Sequence, residues 1–195
     1  FADLVSKLFR SQFIAFVGNV LLSFPIALAI IYGLDVFFSQ NLAIEKSDKL
    51  LKDLDPLESK AILHACIAGF YLFISGIISG TIGNNSIFYQ IPDRIAKTIN
   101  VNRWFGAKVA TSLSKYYAKN WAGIISNFWF GVFLGATAPI GLFFGLDLDI
   151  RHITFAAGNF ALGLYGKEFS VESYTFWISF ATVFIIGFFN FAVSF

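Results

Sequence analysis

Charged side chains are confined to short stretches of this chain, and the segments between them are apolar nearly all round. No charge occurs between Gln12 and Asp35, from Ala65 to Ile91, from Trp121 to Leu146 or from Ser173 to Phe195, and a shorter uncharged run covers Ile153 to Gly166. A helix rises about 1.5 Å per residue and a bilayer's hydrocarbon core is about 30 Å thick, so a crossing takes about 20 apolar residues. The pattern therefore predicts an all-α fold. It is a polytopic transmembrane helical bundle with four long spans, about 12–38, 62–90, 121–145 and 173–195, and a short or re-entrant helix over 152–166. A soluble helical core would need a polar face on each helix, and Phe13 to Phe38 offers none.

Composition strengthens this reading. The chain is 57% hydrophobic and only 13% charged, with a mean hydropathy of +0.71, against about a quarter charged in soluble domains. One membrane domain over residues 1–195 is expected. The chain opens on Phe1 and holds no methionine, as expected of a C-terminal piece of a longer protein. Cys66, alone and inside a predicted span, has no disulfide partner within the chain and reads as packing.

Charge distribution sets an expected topology. Between Pro92 and Asn120 stand Arg94, Lys97, Arg103, Lys108, Lys115 and Lys119 against the single acid Asp93, so 92–120 is expected on the cytoplasmic side of a bacterial inner membrane. The mixed segment 39–60 is expected on the periplasmic side. Lys7 and Arg10 then put the N-terminal end inside. Within the basic segment Val109, Leu113, Tyr116 and Tyr117 share one helical face, which predicts a basic amphipathic helix on the cytoplasmic leaflet, anchored by Trp104 and Trp121. Anionic lipid head groups are its expected partners, ahead of nucleic acid.

Three polar patterns interrupt the apolar runs. Ser75, Gly76, Ser79, Gly80, Gly83, Gly131, Gly135, Gly158 and Gly163 form small-residue stripes expected to be helix-packing faces. Asn19, Asn127, Asn159 and Asn190 are costly in hydrocarbon unless hydrogen-bonded, so they are expected to face the bundle interior as helix glue or, alternatively, as a polar ligand site. The third is Asp147, Asp149, Arg151 and His152. On an extended turn the first three point to one side and pair, giving either a lock between spans or a site that handles a proton or a polar head group. No Gly-rich phosphate loop, metal-ligand cluster or Gly-x-Ser-x-Gly elbow is present, so neither an enzyme signature nor a cofactor is expected, and His64 stands alone.

The stretches Asn127-Phe-Trp-Phe-Gly-Val-Phe-Leu-Gly135, Gly145-Leu-Asp-Leu-Asp-Ile-Arg-His-Ile-Thr-Phe-Ala-Ala-Gly158 and Gly187-Phe-Phe-Asn-Phe-Ala-Val-Ser-Phe195 carry a further signal, with Arg10-Ser-Gln, Gly18-Asn19, Pro25, Pro92-Asp-Arg-Ile and Pro139 beside them. Together they resemble the bacterial membrane proteins labelled site-specific recombinase, of the Gcr type. The resemblance covers nearly the whole chain. It implies a C-terminal membrane portion preceded by a largely helical N-terminal region, which would be a partner of this segment along with other membrane subunits. The label implies DNA strand exchange. The residues themselves favour a transport, lipid-handling or assembly module, or a structural membrane anchor.

Overall fold

A computed structural model describes residues 2–39, 41–98 and 103–195. Every regular element in it is helical: α1 (Ala2–Phe38), α2 (Ile44–Lys52), α3 (Ala61–Phe88), α4 (Ile91–Lys97), α5 (Ala107–Phe144), α6 (Ile153–Gly166) and α7 (Ser173–Ser194). Four of them, over Val5–Phe38, Ala61–Phe88, Ala107–Phe144 and Ser173–Ser194, are long and apolar enough to cross a membrane. The chain separates into two compact units, Phe1–Phe70 with Ile140–Phe195 and Tyr71–Pro139.

The first unit is organised around α6. At 14 residues, α6 is about 21 Å long, too short to cross a hydrocarbon core of about 30 Å unaided. Its Ala156, Ala157, Phe160, Ala161 and Leu164 are buried beneath α1, α2 and α7. Ring pairs fix the directions. Phe24 meets Phe160 and Tyr165 reaches Asp35, so α1 runs with α6; Phe160 meets Phe176 while Phe191 meets Phe9, so α7 runs against both.

Segment 39–60, for all its charges, contributes to this core. Ser47, Leu51 and Leu54 recur at i, i+4 and i+7 and are buried, an amphipathic stripe that the surrounding charges conceal. Glycines let α2 approach: a Cβ on Gly163 would meet Leu51 at 2.8 Å, and one on Gly166 would meet the Ala43 carbonyl oxygen at 2.6 Å. Gly163 thus serves as a packing surface. The other stripes differ, since a Cβ at Gly76, Gly80, Gly83, Gly131 or Gly135 would have no described atom within 4 Å.

In the second unit the later part of α3 pairs with α5 through polar contacts. Ser126 Oγ donates to the Ser75 carbonyl at 2.7 Å, and Thr137 Oγ1 donates to Tyr71 Oη at 3.1 Å. The basic segment is helical at both its ends, with 99–102 outside the described residues. Left-handed Gln90, at φ 50°, breaks α3 from α4, and Pro92 lies in the first turn of α4, where its missing N–H costs nothing. Ser114 Oγ then donates to the Pro92 carbonyl at 2.7 Å, tying α4 to the start of α5. The residues from Lys108 to Lys119 do not form a helix of their own: they are the first turns of α5, which continues unbroken into the third span.

Candidate functional site

The turn from Gly145 to His152 is built from its N-terminal edge. Gly145 closes α5 in the left-handed region at φ +65°, and Leu146 N–H donates to the Gly141 carbonyl at 2.8 Å while Gly145 N–H donates to that of Leu142 at 3.3 Å. These are the two bonds of a Schellman stop, after which Leu148 N–H donates to the Leu146 carbonyl at 2.9 Å in a tight turn. In the irregular segment that follows, Ile150 is buried while Asp147, Asp149 and Arg151 meet polar partners.

Each partner comes from a different element. Asp147 Oδ2 sits 2.7 Å from Lys60 Nζ at the threshold of α3, and this hydrogen bond and charge hold its carboxyl below the usual carboxylate range. His64, buried one turn into α3, grips this segment twice: its Nε2 lies 3.3 Å from the Asp147 carbonyl, and its own carbonyl accepts from Arg151 N–H at 3.3 Å. Arg151 Nη2 bridges two carboxylates, Asp149 at 2.9 Å and Asp53, just after α2, at 3.0 Å. Its side chain is only 11% exposed, so the two carboxylates on Nη2 hold a largely buried guanidinium in place, while its Nε has no hydrogen-bond partner among the described residues. His152 caps α6, with Nδ1 accepting from Thr154 N–H at 3.4 Å. Burial pushes its imidazole down to about 4, so it is neutral at pH 7.

Asn190, near the end of α7, completes the junction. Its Oδ1 accepts the first N–H of α6, from Ile153, at 3.0 Å, and its Nδ2 donates to the carbonyls of Arg151 and Ala65, each at 2.9 Å. One buried amide thereby ties α3, α6 and α7 together. Asn19 and Asn159 are half-buried without a side-chain hydrogen bond among the described residues, and Asn127 is exposed. Of the four amides, Asn190 alone bonds backbone groups of other elements among the described residues.

The basic residues Arg94, Lys97, Arg103, Lys108, Lys115 and Lys119 are all exposed. Lys60, Asp53 and His64 escaped the sequence reading as members of the cluster. Lys60 and His64 stand near the start of the second apolar run, whereas Asp53 lies within a charged segment and carries no local signal. No set of three or more His, Cys, Asp or Glu side chains that could hold a metal occurs among the described residues.

Fold and junction together describe an all-helical protein with four helices long and apolar enough to cross a membrane and a polar junction that joins α3, α6 and α7. The profile of the site-specific recombinase family matches residues 1–195, and the chain belongs to that family. No curated protein and no solved structure matches it.

Proposed function

We propose that this segment is a membrane-anchoring and assembly module, which holds the rest of a longer protein or neighbouring subunits at a bilayer. The observation that carries this reading is the internal closure of the Asp147–His152 turn: Arg151 ends on Asp53 and Asp149, Asp147 on Lys60, and Asn190 on three backbone groups. A solute pathway needs polar side chains that line a shared cavity with spare bonding capacity. Strand exchange on DNA needs a nucleophile amid open cationic groups, and the one deeply placed arginine is already paired.

In this proposal the membrane is a bacterial inner membrane, with the exposed basic segment on its cytoplasmic side meeting anionic head groups. Six exposed cations beside apolar helices meet lipid phosphates without further apparatus, whereas DNA would have to approach the bilayer.

Mass spectrometry of what co-purifies with the intact protein from its own membranes tests the reading. Stoichiometric protein partners, with no ion flux above that of empty vesicles after reconstitution, are expected. A stoichiometric polar solute, or flux above that of empty vesicles, overturns it.

A further inference from the structure

Two apolar cavities of ≈ 400 and ≈ 280 Å³ lie along the seam between α1 and α7 and share Phe184. Their walls are two facing aromatic stripes, Phe13, Phe16 and Phe24 from α1 against Phe180, Phe184 and Phe188 from α7, with α6 as the floor of the larger. Phe16 and Phe184 close the middle with centroids 5.5 Å apart. From Phe13 to Pro25 the seam extends about 18 Å, close to the roughly 15 Å of hydrocarbon in one leaflet.

The seam is apolar except at one end. Gln12 is the polar residue among those lining the two cavities. Arg10, three residues before Phe13 and hence on an adjoining face of α1, is exposed and makes no ion pair among the described residues, whereas nearby Lys7 is held by Asp3 at 2.8 Å. A leaflet-length apolar slot with an uncommitted cation and an amide at its mouth matches one amphiphile: an acidic head group above an acyl chain.

We infer that the α1–α7 seam is a binding site for one anionic phospholipid, its acyl chain between the two phenylalanine stripes and its phosphate at Arg10 and Gln12. Aromatic walls restrict the chain without asking it for hydrogen bonds, and the arginine selects the charged head group over a zwitterionic one. The site shares no residue with the basic segment around α5. It stands whether or not the chain acts as an anchor, because it rests on the seam alone.

The test places the chain in nanodiscs of equal phosphatidylglycerol and phosphatidylcholine and counts retained lipids by native mass spectrometry. One retained lipid per chain is expected, with phosphatidylglycerol preferred about fivefold, the factor one arginine supplies near an anionic surface. Arg10→Gln should abolish the preference and leave retention in place. Leu21→Trp, which puts a large ring into the larger cavity from an exposed position, should abolish retention of both lipids. Equal retention of the two lipids by the unaltered chain overturns the proposal, as does undiminished retention in Leu21→Trp. So does a preference that survives Arg10→Gln but vanishes when Lys108, Lys115 and Lys119 become Gln, which places the lipid at the basic segment.

Discussion

Asn190 is the residue on which most depends for its size. An isolated amide in an apolar setting costs free energy, but here both amide hydrogens and the carbonyl oxygen are engaged, and one of the bonds supplies an acceptor to the otherwise orphaned first N–H of α6. Asn190→Ala should lower stability by about 1–3 kcal/mol, the cost of leaving buried polar groups unpaired, read as an earlier thermal transition in detergent. Asn190→Asp should be at least as damaging at neutral pH, since a carboxylate keeps the acceptor for Ile153 but faces the carbonyls of Arg151 and Ala65. An Asp variant as stable as the parent would show that those two carbonyls do not depend on Asn190. Arg151 makes a parallel case. Arg151→Ala strands Asp53 and Asp149 beside one another in a partly buried place, a change of about 3–5 kcal/mol when a buried pair is broken, and Arg151→Ala combined with Asp53→Asn and Asp149→Asn should recover much of that loss. His152 adds a pH dependence with a definite sign. Its folded value near 4 lies below the unfolded value of about 6.5, so the unfolded chain binds the proton more readily. Stability from this group is full above about 6.5 and declines as pH falls toward 4. The thermal midpoint should therefore drop between pH 7 and pH 5, and less so in His152→Gln.

At the level of elements, α2 and α6 hold each other at glycine contacts while a Cβ at Gly76, Gly80 or Gly83 of α3, or at Gly131 or Gly135 of α5, would have no described atom within 4 Å, and the two sets should respond oppositely to the same substitution. Gly166→Ala drives a methyl group into the Ala43 backbone, which has no rotamer with which to yield, so α2 must shift and loosen Leu51 and Leu54; about 1–3 kcal/mol of overpacking cost is expected. Gly80→Ala meets open space inside a helix and should be neutral or stabilising by up to about 1 kcal/mol. Thermal unfolding of the two variants in the same detergent decides the matter, and equal destabilisation would mean that Gly80 has a close neighbour on another molecule. These elements also mark what the sequence could reveal. Absence of charge located α1, α3, α5 and α7, because exclusion from hydrocarbon acts on every ionisable group alike. The Asp149–Arg151 pairing was legible because the two residues are near neighbours in the chain. Burial of Ser47, Leu51 and Leu54 was less so: seven charged residues across 44–55 suggest water, and only the i, i+4, i+7 spacing betrays a buried edge. Lys60, His64 and Asp53 join the cluster from elsewhere in the chain, and no rule of spacing brings them to it.

For the molecule as a whole, helix length has to be reconciled with membrane thickness. α5 has 38 residues and extends about 57 Å, nearly twice the hydrocarbon core. Its charges are all near one end: Lys108, Lys115 and Lys119 precede Trp121, and no charged residue follows as far as Phe144. Dragging three lysines into hydrocarbon costs more than letting the first turns of the helix leave it, with the amphipathic stems of the lysines and the stacked pair Tyr117–Trp121, centroids 5.2 Å apart, marking the boundary. The same helix is thus a span over one part and a basic stalk over the other, continuous because no glycine, proline or left-handed residue interrupts it before Gly123. A surface helix lying flat would need a break near Asn120 to turn into the span, and the chain has none. In proteoliposomes, hydrogen exchange should therefore be measurably faster across Lys108–Lys119 than across Ile124–Thr137, although both are helical, because amides outside the hydrocarbon can reach water through local opening. Equal, slow exchange along the full helix would place the lysines in a protected contact and remove the stalk from this account.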